Sequence, residues 1–143
     1  MAQKKVEHKV DLDEHITTVY LGLNKVFNIT VYTAKTNAIT LNAISEGEYA
    51  NHFVLERKVE GNALYIEGKI GFTFPNNQDK LSAHKVHAID VKLEVPENLN
   101  IVIKSDIGNL KASGSYTSLS VDFVSGNCQL KNIAGVIRVQ TIN

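Results

Sequence analysis

Two six-residue stretches, "IGNLKA" at 107–112 and "SGNCQL" at 125–130, share a glycine, an asparagine and then an apolar, a polar and an apolar position, and their glycines, Gly108 and Gly126, stand 18 residues apart. A repeat that short cannot enclose a core of its own, so like positions must stack on one another to bury apolar surface. The flanking residues continue the pattern: Leu99, Ile101 and Ile103 correspond to Leu119, Val121 and Phe123, then to Ile137, Val139 and Thr141, at offsets of 20 and then 18 residues. That interval fits an all-β, single-stranded β-solenoid, β-helix-like, whose coils of about 18 to 20 residues turn at glycine corners. Leu110 and Ala112 are expected beneath Cys128 and Leu130 on a second face. Asn109 and Asn127 are expected to serve the corners themselves, where a small amide satisfies local backbone groups and tolerates positive φ. Alternation then assigns Leu99, Ile101, Leu119, Val121, Phe123, Cys128, Leu130 and Val139 to the core, and Asn100, Lys104, Ser120, Asp122, Gln129 and Arg138 to the outside.

Period-two patterning extends through most of the remaining chain. In "VFNITVY" Phe27, Ile29 and Val31 alternate with Asn28 and Thr30, and "AITLNAI" repeats this with Ile39 and Leu41 against Thr40 and Asn42. "FVLERKVEG" and "ALYIEGKIGFTF" add two or three strands punctuated by Gly61, Gly68 and Gly71. The longest clean strand is "HAIDVKLEV", with Ile89, Val91, Leu93 and Val95 on one face, and Pro96 ends it because proline has no amide hydrogen for a ladder. Helical spacing is confined to "EGEYANHF", residues 46 to 53, where one short turn is expected, and the polar stretch 75–85 reads as a long loop. With 143 residues and 43% hydrophobic content, the chain is expected to form one β-solenoid-type domain over 1–143, N-terminal strands in 16–95 and the clearest repeats in 96–143.

From "VKLEVPENLNIVIKSDIGNLKASG" into "LSVDFVSGNCQLKNIAG" the chain resembles the bacterial envelope β-solenoid proteins known as putative adhesins, similar to auto-transporter adhesin head domains, in which a strand ending in Val-Pro leads into repeated strand, Ser-Gly-Asp/Asn, strand units. The resemblance is firmest over residues 86–143 and weaker over 16–74. Ser125-Gly126-Asn127 keeps the corner motif, whereas Ile107 stands where the family has serine. The resemblance implies export and a non-enzymatic role with no agreed biochemical activity. Family members usually continue for more coils. The expected location is therefore the periplasm, the cell surface or the exterior, with an export signal removed; "MAQKK" is read either as the chain's own start or as an initiator Met before Ala2-Gln3 left by such a signal.

Fifteen basic residues balance fifteen acidic ones, so no net field draws nucleic acid, and no apolar run is long enough for a membrane span. Catalytic, cofactor and metal sites are not expected. The five histidines are scattered; His84 and His87 have an i, i+3 spacing that puts their rings on opposite faces of a strand, and His87 reads as a residue at the core's rim. Asp11, Asp13 and Glu14 alternate like a calcium loop, but Ile16 and Gly22 occupy the places of its glycine and distal glutamate. The single cysteine, Cys128, reads as an inward thiol serving as a small hydrophobe. Ser115 lacks the G-x-S-x-G strand–helix context, and Gly68 and Gly71 lack a phosphate loop's Lys-Ser/Thr.

Two uses of such a surface remain. One is an adhesin-like structural or interaction module of the envelope that meets a protein or cell-surface glycan. The alternative is a module that binds a glycan or other ligand on a flat β face, with Tyr20, Tyr32, Tyr65 and Tyr116 as the available rings. Because "IRVQTIN" begins a coil it does not finish, residues 136–143 are expected either to continue into further coils or to associate with a second copy through an open strand edge.

Overall fold

A computed structural model describes residues 3–23, 28–46, 53–70 and 88–141, and every regular element among them is a strand. In chain order these are β1 (Gln3–Asp11), β2 (Thr18–Leu23), β3 (Asn28–Ala34), β4 (Ala38–Glu46), β5 (Phe53–Glu60), β6 (Ala63–Ile70), β7 (Ala88–Pro96) and β8 (Asn100–Thr141). The strands expected from "VFNITVY", "AITLNAI", "FVLERKVEG", "ALYIEGKI" and "HAIDVKLEV" thus appear as β3 to β7. The helical turn sought within 46–53 falls on residues 47–52 and the loop on 75–85, both outside the described residues. Between β5 and β6 the chain reverses through Gly61, at φ 60°, and Asn62, the two-residue connection that antiparallel neighbours favour.

All eight strands join one sheet in the order β1-β4-β7-β3-β8-β2-β6-β5. The pairs β1–β4, β4–β7 and β5–β6 are antiparallel, whereas β7–β3, β3–β8, β8–β2 and β2–β6 are parallel. The sheet curls into a nearly closed, barrel-like form: its edge strands β1 and β5 border the same two clefts, of about 470 and 390 Å³. Strand β8 makes the curl possible. At 42 residues it is far longer than an ordinary strand, and it bends at positive-φ Gly108, Gly114, Gly126 and Gly135. Its residues Asn100–Lys104 pair with β2, and Asn109–Ala112 pair with β3.

Beyond Gly114 the strand lies back over itself. Ser118 Oγ donates to Asn100 Oδ1 at 2.7 Å and Asn127 Nδ2 donates to Asn109 Oδ1 at 3.2 Å, each across 18 residues. A Cβ on Gly126 would run into the carbonyl oxygen of Gly108, so only glycine lets the two segments approach this closely. The interval is therefore 18 residues at both places, and the 20-residue offset between Ile101 and Val121 is a two-residue slip. In the observed register Leu119 follows Ile101, Val121 follows Ile103, and Phe123 follows Ser105. A slip of two preserves which face a side chain occupies, so the inward assignments survive it.

The core lies inside the curl. Val19, Leu21 and Leu23 of β2 meet Ile29 and Val31 of β3, Leu41 of β4, Leu64 and Ile66 of β6, and Val91, Leu93 and Val95 of β7. Strand β8 completes it with Leu99, Ile101, Ile103, Leu110, Leu119, Val121 and Phe123, all buried. Ser105 is the buried polar residue among them and is satisfied, its Oγ donating to the Leu23 carbonyl at 2.7 Å. Three core assignments need correction: Leu130 is 38% exposed, Val139 is 41% exposed, and Cys128 is half-buried against the core. Among the described residues no strand pairs with their far side, so alternation turns them inward without anything to cover them.

Phe123 has no exposed surface. Phe123→Ala is expected to lower the unfolding free energy by about 3–5 kcal/mol, the range for a buried aromatic truncated in a packed core. Val139→Ala should change it by about 0.5 kcal/mol or less. Guanidinium unfolding curves with a common m-value measure both, and equal effects at the two positions would contradict the packing described.

Candidate functional site

Parallel, in-register pairing sets like beside like, and on the outer surface of β5, β6, β2 and β8 it brings two tyrosines together. The sequence TVYLGL of β2 turns Val19, Leu21 and Leu23 inward, which leaves Thr18, Tyr20 and Gly22 outside. In β6 the same logic buries Leu64 and Ile66 and exposes Tyr65. Tyr20 is the direct partner of Tyr65 in the β2–β6 register, and the two rings stack with centroids 4.6 Å apart and planes 6° from parallel. That separation is close to the spacing between strands, so the rings stand side by side in a row across the sheet.

The row reads Lys58, Tyr65, Tyr20, Val102 from β5 to β8, and the next one reads Glu56, Glu67, Gly22, Lys104. Together they line a surface cavity of about 540 Å³. Lys58 Nζ pairs with Glu60 Oε1 at 2.6 Å, and that carboxylate, with a smaller contribution from Tyr65, raises the ammonium pKa. Both partners are largely exposed, so the pair adds little to stability; it fixes where the charges sit beside Tyr65.

The other two of the four candidate tyrosines lie elsewhere. Tyr32, on β3, is half-buried on the opposite part of the sheet beside Glu94 of β7. Its phenol pKa is raised by burial first, then by the Glu94 charge and the hydrogen bond to that carboxylate. Tyr116 is buried, with its hydroxyl donating to the Ser113 carbonyl at 2.7 Å, so it is removed from the proposed ligand surface. Its aromatic body fills the core and its hydroxyl closes a local turn. Burial drives its pKa well above the ordinary 10.0.

Asn109 and Asn127 have a role different from the expected one. Neither has positive φ. They form an outer ladder, with Asn127 donating to Asn109, Asn109 to Asn28 of β3 at 3.5 Å, and Asn28 to Asp90 of β7 at 2.8 Å. The repeated Gly-Asn is thus a close approach of backbones followed by stacked amides. The remaining chemical candidates are unremarkable in place. Asp11, Asp13, Glu14 and His15 are exposed around the turn from β1 to β2. Ser115 uses its amide to donate to Thr33 Oγ1. Burial raises the Cys128 thiol pKa. His52, His84 and His87 are outside the described residues. Among the described residues no three His, Cys, Asp or Glu side chains gather as a metal site would require, and no helix is long and apolar enough to cross a membrane.

No protein-family model matches the sequence, and no curated protein does. Solved structures do. A putative cell adhesion protein from Clostridium sporogenes superposes over 98% of this chain and 99% of its own, with a TM-score of 0.54 and 11% identity. The chain resembles it in fold from end to end. Two others align over 97% of this chain: a putative adhesin from Bacteroides fragilis, over 97% of its own length, at TM-score 0.37 and 11% identity, and a putative lipid binding protein from Parabacteroides distasonis, over 66% of its length, at 0.38 and 16%. The likeness in fold to the Clostridium protein includes the N-terminal strands as well as residues 86–143.

Two titrations follow. In the unfolded chain Tyr116 loses its proton near 10.0, while the folded protein holds it to higher pH. Its contribution to stability is therefore complete below about pH 10 and declines as pH rises, by about 1.4 kcal/mol per unit. Tyr116→Phe should remove that slope and cost about 1 kcal/mol at neutral pH through the lost hydrogen bond; denaturation midpoints from pH 8 to 11 test it. Cys128, with burial opposing its thiolate, should react with DTNB at least roughly tenfold more slowly in native than in unfolded protein at pH 8.

Proposed function

We propose that the chain is a non-enzymatic, adhesin-like interaction module of the cell envelope, built as a β-solenoid of short coils that turn at glycines. The observation that carries the reading is the outer face of β5, β6, β2 and β8, where two stacked aromatic rings are set among charged side chains on a rigid, in-register sheet. Such a face offers contact area at fixed spacing, which suits recognition. The coil reading is supported by the 18-residue contacts within β8, by Gly126 against Gly108, and by Gly135, whose Cβ would meet the Tyr116 carbonyl. The fold shared with the Clostridium protein supports the adhesin-like role by analogy only. For Tyr116 and Cys128 the cause of the raised pKa is burial alone; no partner charge tunes either toward catalysis. A cell-surface or exported location accords with this reading, and protein or glycan are its candidate partners.

The exposed apolar residues of β8, with Val136 at 71%, Leu130 and Val139, favour a second contact with another copy of the chain through residues 136–143, of which 136–141 belong to β8.

Both parts are measurable. Beads coated with the folded protein should be retained on intact cell surfaces under flow, and beads coated with heat-unfolded protein should not; equal retention would sink the interaction reading. Light scattering should show a species larger than the monomer at micromolar concentration that Val139→Lys reduces to a monomer. A monomer before the substitution would exclude the edge contact.

A further inference from the structure

We propose that the bay beside Tyr20 binds a pyranose ring of an uncharged oligosaccharide. The inference rests on the interaction-module reading and names its ligand class. Each ring of the Tyr20–Tyr65 stack has one face covered by the other. In the cross-strand row the outer face of Tyr65 is turned to Lys58, while that of Tyr20 is turned to Val102, a short side chain that forms a floor. Both rings and Val102 line the surface cavity, and the Tyr20 face on the β8 side is the one offered to a ligand.

Gly22 extends this opening. It is two residues along β2 from Tyr20, on the same outer face, between Glu67 and Lys104. Its φ is not positive, and among the described residues an added Cβ would meet only the Glu67 Cγ, at 3.6 Å, an ordinary contact. Neither backbone nor packing demands glycine there. A glycine within a strand weakens it, and close approach of a ligand is one use that accounts for it. What the missing side chain supplies is room.

The chemistry of the walls identifies the occupant. A pyranose has an apolar C–H face, which suits an aromatic ring, and a circumference of hydroxyls that both donate and accept. Glu67 and Lys104 on the two sides of Gly22 supply an acceptor and a donor. The cavity's charged neighbours divide evenly, Glu56, Glu60 and Glu67 against Arg57, Lys58 and Lys104, so neither an anionic nor a cationic ligand gains from the local field. Its volume of about 540 Å³ is that of a small-ligand site, large enough for more than one sugar ring.

The full chain, fluorescently labelled, is applied to a microarray carrying neutral, sialylated and sulfated oligosaccharides, and the strongest neutral sugar is then titrated calorimetrically. Signal is expected on neutral glycans. Gly22→Thr should fill the bay, leave the melting temperature unchanged or higher, and weaken binding tenfold or more; Tyr20→Ala should weaken it comparably, and Tyr20→Phe should retain it within about threefold. Tyr32→Phe, on the other part of the sheet, should have no effect. A preference for sialylated or sulfated glycans, or neutral binding indifferent to both Gly22→Thr and Tyr20→Ala, would overturn the proposal. So would silence across the array. The bead assay separates that failure from failure of the parent reading: retention on cells without glycan binding leaves an interaction module with a protein partner, while loss of both removes the two together.

Discussion

The 18-residue register within β8 is the constraint on which the other features depend. Once Ser118 lies over Asn100 and Asn127 over Asn109, every intervening residue has a fixed neighbour. Inward positions then form columns in which Leu119 and Val121 continue Ile101 and Ile103, and the sheet can bury them without a helix. Outward positions form rows, of which the amides Asn28, Asn109 and Asn127 are one and Tyr65–Tyr20–Val102 another. The amide row follows from the register within β8, and the tyrosine row from the pairing of β2 with β6 and β8. The register in turn hangs on Gly126, because any side chain there would force the two segments of β8 apart where the amide ladder begins.

Alternation made the inside and outside of the strands legible in the sequence, and it did so even where the register was misread. Aligning Phe123 with Ile103 rather than Ser105 left its inward face correct, since the error was two residues. The two N-terminal strands differ in legibility. In β1 only Val6 and Val10 are apolar at alternate positions and lysines surround them, so its pairing with β4 decides its conformation more than its composition does. β2 carries a clean Val19, Leu21, Leu23 alternation within the span 16–95 expected to hold the N-terminal strands. Of the four tyrosines named for the ligand face, Tyr20 and Tyr65 could have been grouped only by knowing that β2 pairs with β6 in parallel, 45 residues apart in register. Tyr116 breaks the rule in the other direction: it is buried although tyrosine is often exposed, because Ser113 satisfies its hydroxyl locally.

The edges of the sheet divide by composition. β1 and β5 face each other across shared clefts and carry Lys5, Glu7 and Lys9 on one side and Glu56, Arg57, Lys58 and Glu60 on the other, charges that discourage pairing with foreign strands. Arg57, opposite Ile66 in the register, stays exposed and borders both clefts. An exposed charge on an edge strand is costly to cover with another sheet, so that side is guarded. The stretch of β8 from Val124 onward carries exposed Val124, Leu130, Val136 and Val139 with Lys131 and Arg138 between them. That composition contrasts with the charged edges of β1 and β5.

Comparing two glycines separates what serves the fold from what serves contact. Gly126 and Gly22 both sit in strands, where glycine gives up side-chain packing and backbone order. At Gly126 the loss is repaid within the fold, since the Gly108 carbonyl occupies the space and φ is positive. At Gly22 nothing described occupies that space, φ is ordinary, and a larger residue would fit beside Glu67. Sequences agree with their structures at most positions and depart from local preference where another requirement intervenes. A departure without a described structural cause, two residues from Tyr20, is one that the proposed ligand contact would account for.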